Sequence, residues 1–213
     1  MVIDSKFLLL CNFQMPFMRL LFATNNIHKF KEASNILLPS FNLLRLKDID
    51  CYDELPETGL TIKSNSSQKA RYVFEKYGMD CFADDTGLEV FALGGRPGVY
   101  SARFAGPNAD SSENIEKLLI ELKGVKDRRA FFRTVISLFI DGKEYFFEGQ
   151  INGNVNEFPS GSKGFGYDSI FLPQGYEKTF SEMEEAEKNS ISHRAIALKK
   201  LFDFLFEKIN LKS

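Results

Sequence analysis

The feature that most constrains the fold is a long apolar, alternating stretch near the middle of the chain, interrupted once by Asp141-Gly142. It reads RAFFRTVISLFIDGKEYFFEGQINGNV over residues 129–155. An Asp-Gly pair between two such runs is a strong hairpin signal, because both residues of the favoured turn adopt positive φ. The stretch therefore predicts two long antiparallel strands, and the rest of the chain must pack around the sheet that they begin.

Shorter apolar runs and helical periodicities lie on both sides of this hairpin. Strands are predicted at residues 19–24, 41–46 and 81–85, with a further strand and a Gly/Pro turn over 88–98. Helices are predicted at residues 25–38, 64–77, 111–122 and 192–209, the third capped by Ser111 or Ser112. The pattern predicts a mixed α/β fold with a sheet of at least five strands. No repeat or linker divides residues 18–213, so we expect one domain there.

The first 17 residues are predicted to be a disordered leader, with Met18 as a possible true start. A secretory signal would need a basic start and a longer apolar run, but Asp4 offsets Lys6. A lipoprotein-type cleavage before Cys11 would need small residues where leucines stand.

Composition excludes several functional classes. Lys and Arg number 27 against 29 Asp and Glu, so there is no global basic field for binding nucleic acid. No apolar run approaches the ~20 residues of a membrane span. Three cysteines without CxxC spacing argue against a disulfide framework or a thiolate zinc site and favour the reducing cytoplasm. Two histidines are too few for a three-His metal site.

The first candidate site lies where the first strand meets the first helix. It consists of Thr24, Asn25, Asn26, Ile27, His28 and Lys29. Backbone N–H groups at a helix N-terminus attract an anion, and a lysine one turn later adds positive charge. The segment predicts either a phosphate site or an ordinary helix cap followed by a solvated lysine. It lacks the glycines of a Walker A loop.

The second candidate is Asp84-Asp85-Thr86, at the end of a predicted buried strand. Adjacent buried acids are costly unless they are paired, hydrogen-bonded or bound to a metal. Carboxylate oxygens suit Mg²⁺, which shares its coordination with waters and substrate phosphates. The alternative is a turn in which an aspartate caps the backbone.

The third candidate is a glycine-rich loop that includes Phe165, Gly166, Tyr167 and Asp168. Glycines let a backbone approach a ligand closely, and Phe165 could stack on a flat ring. The alternative is a hairpin loop held by its aromatic residues.

The fourth candidate is a group of donor side chains, Lys188, His193 and Arg194, at the start of the last helix. The alternative is a capping sequence with solvated charges. Taken together, the four candidates supply a phosphate grip, an acid pair, a ring platform and donors, which are the parts needed to bind a nucleoside triphosphate.

Five blocks in order carry a resemblance to a known family. They are ATNNIHK (23–29), ETGLT (57–61), FADDTGLEVFALGGRPGVYSARFAG (82–106), SKGFGYDSIF (162–171) and EKNSISHRAIA (187–197). The chain from about Met18 onward resembles the inosine triphosphate pyrophosphatase family, which removes ITP, dITP and XTP from nucleotide pools. The resemblance implies an elongated mixed sheet with helices forming two lobes around a central cleft, a homodimer, and Mg²⁺ as cofactor.

The resemblance also implies a role for each candidate residue. The triphosphate is held by Thr24, Asn26 and Lys29, with Asn25, Ile27 and His28 in the same turn. Asp85 is the catalytic acid residue and a Mg²⁺ ligand, with Asp84 beside it, and Lys29 stabilises the leaving group. The base and sugar are contacted by Thr86, Phe165, Gly166, Tyr167, Asp168, Lys188, His193 and Arg194.

One departure bears on activity. The family generally has a metal-site Glu shortly before the residue matching Asn65, where this chain has Lys63-Ser64. Lys63 would repel Mg²⁺, so either Glu57 or another acid substitutes, or the metal relies on the aspartates and phosphates, or activity is reduced. Lys63 therefore motivates one alternative to a pyrophosphatase of deaminated purine nucleotides, a noncatalytic nucleotide binder. A second alternative is a Maf-type pyrophosphatase, which is similar in architecture but acts on other bases.

Overall fold

The structure, a computed structural model, describes residues 18–37 and 40–210, so the expected leader at residues 1–17 lies outside the described part. Within these residues one six-stranded sheet has the order β2-β1-β3-β4-β5-β6. The strands are β1 (Met18–Phe22), β2 (Phe41–Arg45), β3 (Cys81–Val90), β4 (Arg129–Ile140), β5 (Lys143–Val155) and β6 (Phe171–Pro173). The helices are α1 (Ile27–Leu37), α2 (Ile62–Tyr77), α3 (Ser111–Glu121), α4 (Glu185–Ile191) and α5 (His193–Asn210).

The predicted hairpin is confirmed, and it lies between β3 and β6 in the sheet. Strands β4 and β5 pair antiparallel from Arg129 opposite Asn154 to Ile140 opposite Lys143. The turn residues Asp141 and Gly142 both have positive φ, 50° and 72°, as an Asp-Gly hairpin turn requires. The β2-β1-β3 part of the sheet is parallel, so the sheet is mixed.

The prediction that a strand ends at the two aspartates is wrong. Strand β3 continues without a break from Cys81 to Val90, and β4 pairs with it along its whole length. The long neighbour explains the difference, because it supplies hydrogen-bond partners to residues that read locally as a turn. Gly87 is needed for packing, since a Cβ there would lie 2.4 Å from the Gly98 carbonyl oxygen.

The ends of the helices are set by local hydrogen bonds. Helix α2 begins two residues earlier than predicted, because Thr61 and Ser64 form a capping box at its start. Helix α3 is capped by Asp110, which corrects the expected Ser111 or Ser112. The Asp110 carboxylate accepts the Glu113 N–H at 2.9 Å, and the Glu113 carboxylate accepts the Asp110 N–H at 2.8 Å.

The buried apolar residues divide the molecule into two lobes. At the parallel end of the sheet, one cluster packs Leu20 and Phe22 against α1 and α5, and another packs Leu21 and Ala23 against α2. This alternation follows from the two-residue period of a strand. A separate cluster, which includes Phe132, surrounds the far ends of β3 and β4. Among the described residues, no helix has the length and hydrophobicity needed to cross a membrane.

Candidate functional site

A cleft of about 710 Å³ lies between the two lobes, on the edge of β3 that β1 leaves uncovered. Strand β1 pairs with β3 only at Cys81 and Phe82, while β3 continues to Val90. The predicted residues that line this cleft are Thr24, Asn25, Asn26, Lys29, Asp85, Thr86, Phe165, Gly166, Tyr167, Asp168, Lys188, His193 and Arg194. The fold therefore brings segments from all four candidate sites to one cavity.

The two aspartates face opposite sides of the sheet, because successive strand residues alternate. Asp84 shares the face of Phe82, toward α1 and α5, and Asp85 shares the face of Ala83, toward α2. They were expected side by side at a metal. The structure instead gives them different partners, and Asp84 does not line the cleft.

Asp84 is a buried counter-ion for two cations. Its Oδ1 lies 3.0 Å from the Lys29 Nζ, and its Oδ2 accepts the Arg194 Nε–H at 3.0 Å and the Thr86 hydroxyl at 3.3 Å. Burial alone would raise the pKa of this carboxyl, but Lys29 and Arg194 outweigh it, so the pKa lies well below its usual range. Asp84 thus ion-pairs with both cations and holds them in place, and among the described groups its Oδ1 has the Lys29 ion pair but no hydrogen-bond partner.

Asp85 has a different environment. Its Oδ2 accepts the Asn65 side-chain amide at 3.3 Å, and the Lys69 Nζ lies 3.6 Å from its Oδ1. Burial raises the pKa of Asp85, and the neighbouring Lys69 offsets this only in part. Lys69 also contacts Glu57, with the Nζ 2.5 Å from Oε1. Two cleft-lining carboxylates therefore flank one buried ammonium group.

Lys69 was not among the site residues predicted from the sequence. The signal was present, because Lys69 lies four residues after Asn65 and helical residues at that spacing share a face. Lys63 does not share that face. It is exposed, and its Nζ lies 4.2 Å from the centroid of the Phe146 ring on β5. Lys63 therefore does not occupy the acid site, and the expected repulsion of Mg²⁺ has no structural basis.

The first candidate segment forms a helix cap whose side chains line the cleft. The Asn26 carboxamide oxygen accepts the N–H groups of His28 and Lys29 at 2.9 and 3.1 Å, and the Thr24 hydroxyl accepts the Asn26 N–H at 3.1 Å. Capping is thus confirmed, but Lys29 is not solvated, since its ammonium pairs with Asp84. Burial, the largest effect, lowers the pKa of Lys29. The neighbouring Ile27 is exposed and does not line the cleft.

A buried ionic network forms the other end of the cleft. The Lys188 Nζ contacts Glu32 Oε1 at 2.7 Å and Asp168 Oδ2 at 2.6 Å. Arg194 pairs with the second Glu32 oxygen. The alternative of solvated charges at this position is wrong, because Lys188 and Arg194 are both buried. Glu32 was not predicted as a site residue, because the sequence of an amphipathic helix does not indicate that a single acidic residue on it will be covered by α5.

His193 is a buried, neutral imidazole. Burial lowers its pKa well below the usual value, and the nearby Arg194 charge adds to this. Its ring stacks on Phe132 with centroids 4.6 Å apart, and among the described groups its Nδ1 has no hydrogen-bond partner. Gly149 on β5 makes this position possible, because a Cβ there would lie 2.0 Å from the His193 carbonyl oxygen. In the sequence, the glycine within a predicted strand could have indicated that another segment of backbone approaches closely here.

The glycine-rich loop presents Phe165 to the cleft. The Phe165 N–H donates to Asp168 Oδ2 at 2.9 Å, which fixes the backbone of the loop. Tyr167 lines the cleft but is largely buried, and its hydroxyl donates to the Ser101 carbonyl at 3.0 Å. Tyr167 therefore packs in the far lobe, while the neighbouring Gly166 has a φ of 59° that favours glycine.

The fold and the cleft define an α/β protein whose cleft is lined by a capped helix N-terminus with Lys29, by an acid pair, and by aromatic and donor side chains. This is the geometry of a nucleotide-binding enzyme of the α/β class. A model of the Ham1 family matches residues 20–204. The chain belongs to the Ham1 family.

Curated relatives and solved structures agree with this assignment. The chain is 52% identical over 188 residues to a dITP/XTP pyrophosphatase of Christiangramia forsetii, covering 88% of this chain and 99% of the relative. It is 46% identical over 187 residues to a dITP/XTP pyrophosphatase of Bacillus subtilis, covering 86% and 94%. The Ham1 protein of Staphylococcus aureus has a TM-score of 0.81 at 37% identity, covering 89% and 99%. The predicted mixed, two-lobed α/β fold is thereby confirmed.

Proposed function

We propose that this protein hydrolyses ITP, dITP and XTP to the nucleoside monophosphate and pyrophosphate. The observation that supports the proposal is the cleft, whose lining includes Asp85, the helix-cap residues Thr24, Asn26 and Lys29, and the ring of Phe165 beside Arg194. The relatives named dITP/XTP pyrophosphatase support the substrate class.

We propose Glu57 and Asp85 as the protein ligands of Mg²⁺. Both carboxylates line the cleft, and both lie within ion-pair distance of the Lys69 ammonium, so the two acids are neighbours on the cleft wall. Within the described chain, no group of three or more His, Cys, Asp or Glu side chains could hold a metal. Two carboxylates nevertheless fit Mg²⁺, which completes its shell with waters and substrate phosphates. When bound, Mg²⁺ neutralises charge on the phosphate oxygens.

The chain's own residues supply the remaining chemistry. The raised pKa of Asp85 brings this carboxylate closer to the basicity that a general base needs, and it would accept a proton from the attacking water. Lys29 and Lys69 lie near it and would stabilise charge on the pyrophosphate leaving group. Attack at the α-phosphorus breaks the bond to the β-phosphate oxygen, so pyrophosphate departs as one unit.

Selectivity follows from hydrogen-bond polarity at the base. Hypoxanthine and xanthine present a 6-keto acceptor, whereas adenine presents an amino donor. Arg194 donates to Asp84, Glu32 and Thr86 through separate nitrogens, and the guanidinium has five N–H donors in all. Its remaining donors, with the His193 imidazole, would satisfy the keto group and oppose the adenine amino group. A buried polar mismatch of this kind can discriminate by ~10⁴.

The position of Lys63 bears on the noncatalytic alternative. That alternative rested on a cation at the metal site, but the Lys63 ammonium lies over Phe146 instead. Glu57, which lines the cleft, would supply the acid that the family generally has shortly before the residue matching Asn65. The Maf-type alternative predicts turnover of other bases, so a substrate panel distinguishes it.

The test is pyrophosphate release from ITP, dITP, XTP, GTP and ATP, first with Mg²⁺ and then with EDTA. We expect Mg²⁺-dependent release from the first three and little from GTP or ATP. Binding of ITP without release would support the noncatalytic alternative, and preference for another base would support the Maf-type one.

We also propose a cytoplasmic homodimer. The support is the resemblance to the family and the two described cysteines, Cys51 and Cys81, which are free and buried. Light scattering coupled to size exclusion tests the dimer, and a monomer mass at micromolar concentration would contradict it.

A further inference from the structure

A ring contact at the mouth of the cleft joins the two lobes. The His28 imidazole, on the first turn of α1, stacks on the Phe165 ring with centroids 5.1 Å apart and planes 19° apart. Phe165 lines the cleft, whereas His28 is exposed and does not. The imidazole therefore packs on Phe165 from outside the cavity, so the implied contact between His28 and the nucleotide has no support in this geometry.

Two cationic side chains that line the cleft also lie close to the Phe165 ring. The Lys188 Nζ lies 5.1 Å and the Arg194 Cζ lies 5.6 Å from the Phe165 centroid. Both cations are fixed by the buried ionic network. The Phe165 ring is thus in contact both with buried charges and with the His28 imidazole.

The backbone around Phe165 does little to fix the ring by itself. Gly164 and Gly166 have φ of 77° and 59°, conformations that side chains other than glycine rarely adopt. Hydrogen bonds between Phe165 and Asp168 hold the loop backbone, but they leave the ring torsions free. Packing on the ring must therefore set its orientation.

We propose that His28 is a positioning residue, which holds the Phe165 ring flat against the cleft so that the purine base can stack on it. The inference rests on the proposed function. The residue after His28 is Lys29, which lies in the anion site. The stack therefore sets the distance between the groups that hold the phosphates and the ring that holds the base.

The first test is steady-state kinetics with ITP. Loss of the aromatic contact should weaken the binding of ITP. His28→Ala should therefore raise KM about two- to tenfold, while kcat changes less than about twofold. His28→Phe should restore KM, because it keeps a flat ring and removes only the nitrogens. In a Phe165→Ala background, His28→Ala should have no further effect.

A matched control separates the ring contact from interlobe contacts in general. Asn35, also on α1, donates to Glu185 Oε1 on α4 at 2.7 Å and does not touch Phe165. Asn35→Ala should leave KM unchanged. An unchanged KM in His28→Ala would overturn the proposal, and so would a His28→Phe variant as impaired as His28→Ala, since that would assign the role to the imidazole nitrogens.

The second test needs no turnover. The chain has two histidines, so the imidazole protons are readily assigned by NMR using His28→Ala. The ring current of Phe165 should shift the His28 protons upfield, and Phe165→Leu should reverse that shift. Absence of the shift would overturn the stack itself. Failure of the wild type to release pyrophosphate, with the shift present, would instead overturn the proposed function.

Discussion

Asparagine substitutions at the two adjacent aspartates should have different effects. Asp84→Asn should lower the thermal stability of the fold, whereas Asp85→Asn should mainly reduce turnover. Asp84 is 1% exposed and contacts two cations at 3.0 Å, Lys29 and Arg194. Removing one partner of a buried ion pair costs about 3–5 kcal/mol, because the remaining charge is left uncompensated. At about 2–4 °C per kcal/mol for a chain of this size, Asp84→Asn should lower Tm by roughly 6–20 °C.

Asp85→Asn should lower Tm little or not at all. The pKa of Asp85 is raised, which means that the folded state disfavours its ionised form. A neutral side chain of the same shape removes that penalty and can still accept the Asn65 amide hydrogen bond. Turnover should nevertheless fall by at least ~10², since the proposed general base and metal ligand is lost.

Thermal unfolding by circular dichroism and pyrophosphate release from ITP measure these two effects on the same samples. Equal losses of Tm in the two variants would refute the assignment of the side chains to opposite faces.

The pH dependence of Tm gives a second check. The native pKa of Asp84 is lowered, so its stabilisation is present above the unfolded value of about 3.9 and is lost as pH falls through the native value. The Tm difference between wild type and Asp84→Asn should therefore be constant from about pH 5 to 8 and shrink below about pH 4.

Further substitutions test the metal site and the packing beneath the base pocket. Glu57→Gln should raise the Mg²⁺ concentration for half-maximal activity at least several-fold, whereas Lys63→Glu should leave that concentration unchanged. If instead only Lys63→Glu changed it, the metal would bind near Lys63 and not at Glu57. Gly149→Ala should cost about 1–3 kcal/mol and reduce kcat/KM, because its Cβ would displace the backbone of His193 by more than 1 Å. Gly175→Ala is the control, since its φ of 85° strains alanine but its Cβ would have open space. If Gly175→Ala lowers kcat/KM as much as Gly149→Ala does, general destabilisation explains the loss.

Much of the architecture was predictable because its causes are local. The hairpin at Asp141-Gly142 follows from turn chemistry and strand alternation, and the helix boundaries were close because caps and stops are short-range signals. The continuous β3 could not be read from its own residues, since Asp84 to Gly87 look like a turn. Pairing with the long β4, from Asp84 opposite Ile136 to Gly87 opposite Arg133, keeps them extended.

The sequence by itself determined which residue types reach the cleft, since most predicted site residues line it. Only the tertiary structure decided their partners. It pairs Asp84 with Lys29 and Arg194, Asp85 with Lys69, and Glu32 with Lys188 and Arg194. The physical reason is that burial and pairing of charges depend on which helices cover each face of the sheet. No local pattern records that a carboxylate in one strand will meet a guanidinium 110 residues later.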